Sequence, residues 1–119
     1  DRRPTLVAMH HPPFASGIDY MDHFGLENAA AFEAVVSRHP HVERILCGHL
    51  HRSIQCRVGG TLASVCPSTA HQLALDLRPG APGAFAMEPP GYQLHLWQQG
   101  RLVSHTCAVG DFEGPFPFS

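Results

Sequence analysis

Two apolar segments that each end in histidines constrain the fold of this chain more than any other feature. Residues 4–9 form a continuous apolar run followed by a His-His pair at 10–11, and residues 42–47 form a second run followed by Gly-His-Leu-His at 48–51. Between them, residues 27–38 combine strong helix formers with apolar residues at helical spacing. A strand, a helix and a strand in this order predict one βαβ unit with parallel strands, whose carboxyl ends share one edge of the sheet.

The rest of the chain is predicted to be rich in strands after residue 51. The Gly59-Gly60 pair between short strand candidates at 52–58 and 61–65 is typical of a two-residue hairpin turn. Alternating side chains over 92–98 and a turn at Gln99-Gly100 predict a second hairpin that continues over 101–109. The other segments are predicted as an irregular loop over 14–26, a short strand over 73–77 and a proline- and glycine-rich loop over 78–91.

The histidines at the two strand ends are candidate metal ligands. His10, His49 and His51 would present three imidazoles from neighbouring strands, with His49 and His51 on one face if that segment is extended. Imidazole suits zinc, manganese, iron, nickel and copper. No fourth cysteine or histidine stands at an obvious spacing, which favours an open site over a structural zinc. The residues by themselves leave open whether these histidines bind a metal or only form hydrogen bonds.

Composition narrows the function classes. A net charge of -2 gives no electrostatic basis for binding a nucleic acid polymer. No apolar stretch approaches the roughly 20 residues that cross a bilayer, and the first residues lack a signal-peptide pattern, so no membrane partner and a cytoplasmic location are expected. The four cysteines contain no Cys-x-x-Cys pair and are interpreted as reduced core residues rather than disulfides or zinc ligands.

Several motifs together resemble one enzyme family. They are Met-His-His-Pro-Pro-Phe at 9–14, Met-Asp at 21–22, Ile-Leu-Cys-Gly-His-Leu-His-Arg at 45–52, Cys-Pro-Ser-Thr-Ala-His-Gln at 66–72 and Gly-Tyr-Gln-Leu-His at 91–95. The chain resembles the C-terminal half of a calcineurin-like metallophosphoesterase, of the class III cyclic-nucleotide phosphodiesterase and glycerophosphodiesterase branch. Gly-His-x-His is shared by the superfamily, whereas His-His-Pro-Pro and Thr-Ala-His-Gln narrow the resemblance to this branch.

The resemblance implies a fold and a domain organisation. It implies an α/β fold in which residues 1–119 are the C-terminal part of a single domain, a sandwich of two mixed sheets flanked by helices. Residues 14–26, which include Met-Asp, would be a cap-like loop at the pocket, and residues 52–109 would supply the C-terminal strands.

The resemblance also implies a site and a reaction. Two divalent metals (Mn, Fe or Zn) would be bridged by a hydroxide and an aspartate, and the enzyme would hydrolyse a small phosphodiester such as 3′,5′-cyclic AMP. By motif, His10 and His49 resemble ligands of the second metal and His51 resembles a ligand of the first. His71 resembles a histidine that lies near the substrate phosphate without binding a metal. His11 is interpreted as structural or as lying outside the ligand set.

The sequence departs from this family in one respect. The N-terminal motifs Asp-x-His, Gly-Asp and Gly-Asn-His-Asp/Glu are absent, and they supply the bridging aspartate and most ligands of the first metal. This chain alone is therefore expected to bind one metal or none, to be inactive, and to form a homo-oligomer that covers unpaired sheet edges. The alternative function is a non-catalytic module for single-metal binding or assembly. A zinc-stabilised structural domain would need a fourth ligand, which the sequence does not offer.

Overall fold

The computed structural model describes all 119 residues as a mixed α/β fold with three separate sheets and two short helices. The elements are β1 (Thr5–Met9), α1 (Asp19–Asp22), α2 (Ala29–Val36), β2 (Val42–Cys47), β3 (Ile54–Val58), β4 (Thr61–Val65), β5 (Gln72–Leu73), β6 (Phe85–Ala86), β7 (Gly91–Gln98) and β8 (Arg101–Ala108). The predicted α/β class and the predominance of strands after residue 51 are confirmed. Neither helix has the length and apolar character needed to cross a membrane.

The largest sheet has four strands in the order β1-β2-β4-β3. β1 and β2 are parallel, with Met9 opposite Cys47, and α2 lies between them in sequence. β4 continues the parallel set beside β2, and β3 runs antiparallel to β4 at the edge. The predicted pairing of the first two strands is therefore confirmed, and both of them end at the same edge of the sheet.

One face of this sheet carries the hydrophobic core, and α2 covers it. Each strand contributes alternate residues, because successive side chains point to opposite faces. Eight buried residues form a single cluster: Val36, Val42, Ile45, Cys47, Leu50, Val58, Ala63 and Val65. Val36 is the buried residue of α2, and Phe32 packs against the cluster one turn earlier. This face fixes β1 and β2 and so positions the loops that follow them.

The opposite face of the sheet is covered by the hairpin of β7 and β8, through polar contacts. The Gln93 amide donates to the Ser64 hydroxyl on β4 at 2.8 Å. The Arg44 guanidinium on β2 donates to the Ser104 hydroxyl at 2.6 Å. The other face of the hairpin holds Tyr92, Leu94 and Leu96, which are all exposed. The hairpin therefore turns its polar face to the sheet and its apolar face outward.

Both predicted hairpin turns are confirmed. Gly59 and Gly60 have φ values of 56° and 86°, and Gln99 and Gly100 have 50° and 72°. Two consecutive residues with positive φ define the tight turn whose twist matches that of the flanking strands.

Several predicted boundaries are wrong; the strand over 52–58, for example, begins at Ile54. The strand over 73–77 is limited to Gln72–Leu73, because Leu75 and Leu77 have no strand beside them and are each 60% exposed. The loop over 78–91 contains its partner, the two-residue strand Phe85–Ala86. The loop over 14–26 contains the four-residue helix α1. The helix over 27–38 is shorter because Asn28 adopts a left-handed φ of 60° before Ala29.

His95 is expected to make the docking of the hairpin sensitive to pH. Its Nδ1 lies 2.8 Å from the Ser104 hydroxyl that accepts from Arg44, so Ser104 donates to a neutral His95. Burial lowers the pKa of His95, and the Arg44 charge lowers it further. Protonation of His95 therefore favours the unfolded chain. The contribution of His95 to stability is fully present above its unfolded pKa of about 6.5 and is lost as the pH falls through its folded pKa.

We expect urea unfolding of wild type to show a loss of stability between pH 7.5 and pH 5.5 that is smaller in His95→Gln. His105→Gln on the exposed side of β8 is the matched control and should keep the wild-type slope. An identical pH dependence in wild type and His95→Gln would contradict the prediction.

Candidate functional site

Three histidine side chains meet where β1 and β2 end. The Gly48 N–H donates to the His10 carbonyl at 3.0 Å, which holds the two strand exits side by side. The ring centroid of His49 lies 4.2 Å from that of His11 and 5.2 Å from that of His10. The structure thus brings His10 and His49 together, as expected for a pair of ligands. It adds His11, which was predicted to be structural or outside the ligand set.

The backbone turns at the histidines themselves rather than at Gly48. His49 and His51 have φ values of 68° and 47°, and β2 ends at Cys47, so the segment is not extended. The extended backbone that would place His49 and His51 on one face is therefore not formed. A left-handed backbone costs a residue with a side chain about 1–2 kcal/mol. Such strain is concentrated at functional sites, where the surrounding structure maintains it.

His51 lies beside the fourth predicted site residue, His71. Their ring centroids are 5.0 Å apart, and the His51 carbonyl accepts from the Leu73 N–H at 3.0 Å. The next residue strengthens this connection, because the Arg52 guanidinium donates to the Leu73 carbonyl at 2.7 Å and to Glu88 at 2.9 Å. The four predicted residues thus form two neighbouring groups, with His10 and His49 in one and His51 and His71 in the other.

Gln72 fixes the loop that carries His71. Its amide oxygen accepts from the Ser68 N–H at 2.9 Å, and its amide nitrogen donates to the Ser68 carbonyl at 2.8 Å. The same nitrogen donates to the Pro89 carbonyl at 3.3 Å, and Gln72 is only 3% exposed. One buried side chain therefore closes the loop over 68–72 and joins it to the start of the β7 hairpin.

Replacing Gln72 with leucine should lower the free energy of unfolding by about 1–2 kcal/mol, because buried backbone groups of the loop lose their partners. Gln55→Leu on the exposed side of β3 removes the same amide without that penalty. Chemical denaturation of both variants measures the difference. Equal stabilities would show that solvent replaces the amide at position 72.

The loop over 14–26 is folded by Asp22 and lies near the histidine cluster. One Asp22 oxygen accepts from the Ser16 N–H and hydroxyl, each at 2.8 Å, and the other accepts from the Gly17 N–H at 2.9 Å. Both carboxylate oxygens are used to close the loop. Further along, the backbone of Phe24 lies close enough to His49 to raise its pKa. The loop therefore lies against the site.

The electrostatics of the cluster favour a neutral His49. Burial lowers the pKa of His49, and the positive charges that His11, His10 and His51 can carry lower it further, against the smaller effect of the Phe24 backbone. Its Nε2 is buried and has no hydrogen-bond partner. Below the cluster, burial raises the pKa of the Cys47 thiol to about 11, so this cysteine is an inert core residue.

The histidine nitrogens of the cluster are donors of a kind that divalent cations accept. A buried imidazole nitrogen without a partner is rare in a folded protein and is satisfied when it ligates a metal. Imidazoles accept zinc, manganese and iron alike. No three His, Cys, Asp or Glu side chains are positioned to hold one ion by themselves. The cluster therefore offers part of a ligand set rather than a closed four-ligand zinc site.

Comparison with known proteins confirms the predicted resemblance: the chain is similar to bacterial phosphodiesterases of glycerophosphodiesters and cyclic nucleotides. The probable glycerophosphodiester phosphodiesterase GpdQ of Arcobacter nitrofigilis is 39% identical over an alignment of 119 positions, which covers 98% of this chain and 43% of that protein. A probable cyclic nucleotide phosphodiesterase of Rhodopseudomonas palustris is 35% identical over 113 residues, 95% of this chain and 41% of that protein. The 3′,5′-cyclic adenosine monophosphate phosphodiesterase CpdA of Escherichia coli K12 is 36% identical over 70 residues, 59% of this chain and 26% of that protein.

The first two of these relatives match nearly the whole of this chain. The chain spans only about two fifths of their length. No protein-family model matches it.

Proposed function

We propose that this chain is part of a metal-dependent phosphodiesterase that hydrolyses a small phosphodiester such as 3′,5′-cyclic AMP. The observation that carries the proposal is the buried, unpartnered Nε2 of His49, next to His10 and His11 at the edge where two parallel strands end. The similar proteins support the proposal, because they are named as phosphodiesterases of cyclic nucleotides or of glycerophosphodiesters.

In this proposal the two groups of histidines have different roles. His10 and His49 would hold one divalent metal, and His51 would contribute to holding a second, with manganese, iron or zinc as the candidate ions. Divalent cations bound there would lower the pKa of a water molecule and neutralise charge on the phosphate oxygens. His71, whose ring centroid lies 5.0 Å from that of His51, would donate a hydrogen bond to a phosphate oxygen.

The protein prepares these side chains in three ways. The lowered pKa of His49 favours a neutral imidazole, in which one ring nitrogen has a free lone pair, and Nε2 is the buried nitrogen without a partner. The hydrogen bond from Leu73 to the His51 carbonyl and the Gln72 contacts keep His71 beside His51. The loop over 14–26 lies against His49 and would limit the access of water to the cluster.

The alternative is a non-catalytic module that binds one metal or serves in assembly. It is favoured by the absence of three side chains that could hold one ion by themselves. Since this chain contributes three histidine ligands to the proposed pair of metals, we infer that by itself it holds one metal or none.

Two measurements on the purified chain separate these functions. Elemental analysis gives the metal content, and hydrolysis of bis(p-nitrophenyl) phosphate with added Mn²⁺ gives the activity. About two metals per chain with turnover would support the enzyme and contradict the expected inactivity of the chain alone. The alternative, a non-catalytic module, would be supported by one tightly bound metal without turnover in this chain. The same result would be needed when the chain is fused to the part of a relative that it does not cover.

The fold supports two further parts of the proposal. We propose that residues 1–119 belong to one domain in which the main sheet and the β7–β8 hairpin are layers of the two-sheet sandwich.

We also propose that the exposed apolar face of the hairpin, with Tyr92, Leu94 and Leu96, packs against a second copy of the chain. Sedimentation equilibrium should then show a dimer or larger that Leu94→Lys dissociates, whereas a monomer at high concentration would contradict this.

A further inference from the structure

Phe85 is an exposed aromatic residue beside the candidate site that the sequence motifs did not indicate. It lies in β6, opposite Leu73, and its side chain is left outside the core, with the residue 67% exposed. Its ring centroid is 5.0 Å from that of His71, with the ring planes at 57°. His71 in turn lies 5.0 Å from His51. A row of three rings therefore leads from a proposed metal ligand to an open aromatic surface.

The Phe85 ring has one aromatic neighbour, His71. The Phe85 ring lies beside His71 and is otherwise largely exposed to solvent. The backbone below is fixed, because the Ala74 N–H donates to the Ala84 carbonyl at 2.9 Å next to the β5–β6 pair. Phe85 is thus a flat apolar surface 5.0 Å from His71, and its exposed area is open to a second flat ring.

We propose that Phe85 is a specificity residue that stacks on the nucleobase of a nucleotide substrate whose phosphate lies at His71 and His51. This inference rests on the proposed phosphodiesterase function and names the substrate class within it. Stacking of a base on an aromatic side chain contributes substantially to binding and is available to every base, because each has a π face. A glycerol diester has no such ring and gains nothing from Phe85.

The test is an NMR titration of the full 119-residue chain with three ligands. Adenosine carries the base without a phosphate, cyclic AMP carries both, and glycerophosphocholine carries a phosphodiester without an aromatic ring. The variants are Phe85→Leu, Phe85→Tyr and, as the matched control, Phe112→Leu, since Phe112 is an equally exposed phenylalanine in the C-terminal tail. Retained dispersion of the backbone amide signals shows that each variant is folded.

We expect adenosine and cyclic AMP to shift the Phe85 and His71 ring signals upfield, with Kd about tenfold higher in Phe85→Leu and restored in Phe85→Tyr. Glycerophosphocholine should bind equally well with and without Phe85. If neither adenosine nor cyclic AMP shifts these signals, or if Phe85→Leu weakens glycerophosphocholine as much as cyclic AMP, the inference is overturned. Failure of the proposed function has a different signature: neither phosphodiester moves the signals of His10, His49 and His51, whatever adenosine does at Phe85.

Discussion

Replacing His49 with asparagine is expected to weaken the binding of Zn²⁺ or Mn²⁺ to this chain at least about a hundredfold, a loss above the 10–100-fold range for residues that only orient metal ligands. The reason is the unpartnered Nε2 of His49, which is buried between two other imidazoles. Asparagine suits the test because the φ of 68° at this position is left-handed, a conformation that asparagine tolerates better than alanine. The variant removes the imidazole without adding backbone strain.

The affinity is measured by competition with a chromophoric chelator at pH 7.5, where the lowered pKa of His49 leaves its imidazole neutral. His39→Asn is the matched control, because His39 is exposed and lies at the far end of β2 from the cluster. It should bind metal as wild type does. An affinity of His49→Asn within about threefold of wild type, after correction for the control, would show that the cluster is held by packing alone and would contradict the metal site.

The same assay assigns a role to His11. By resemblance His10 is the ligand and His11 is not, yet the ring of His11 lies closer to His49 than that of His10 does. A large loss in His10→Asn with a small loss in His11→Asn would support the assignment made from the motif. The reverse result would make His11 the ligand and His10 its neighbour.

The strand ends could be predicted because they depend on local sequence. The apolar runs before His10 and before Gly48, with an alanine-rich segment between them, allow few arrangements other than a βαβ unit. The turn at Gly59 and Gly60 is equally local, since a tight hairpin turn needs two positive φ values and glycine supplies them. These elements place the histidines at one edge of the sheet before any long-range contact is known.

The arrangement within the site could not be predicted, because it depends on partners that are distant in sequence. Whether His49 and His51 share a face depends on the left-handed backbone at each, which a histidine rarely adopts. The position of Phe85 next to His71 follows from the pairing of two-residue strands, too short to leave a periodic pattern. The run over 73–77 alternates like a strand, but only its first residue belongs to one.

Replacing Gly59 with alanine should lower the free energy of unfolding by about 3 kcal/mol, the sum of a left-handed backbone and a steric overlap in a packed region. Gly59 has a φ of 56°, and a Cβ there would lie 2.9 Å from Val36 Cγ1 and 3.1 Å from the Glu33 carbonyl oxygen. Neither neighbour moves freely, since Val36 belongs to the core cluster and Glu33 to the backbone of α2. The Gly59 N–H also donates to the Glu33 carboxylate at 3.0 Å.

Gly60 provides the matched control, because it adjoins Gly59 in the same turn and has an even larger positive φ of 86°, but a Cβ there would meet no atom within 4 Å. Gly60→Ala should therefore lower stability by only about 1 kcal/mol, the effect of the backbone alone. Urea unfolding of both variants separates the two contributions. Equal losses of unfolding free energy in the two variants would mean that α2 can shift away from the hairpin with little loss of stability. The helix would then not be rigidly attached to the sheet. The expected difference would instead show that contact with Gly59 holds α2 against the core, on the sheet whose parallel strands end at the histidine cluster.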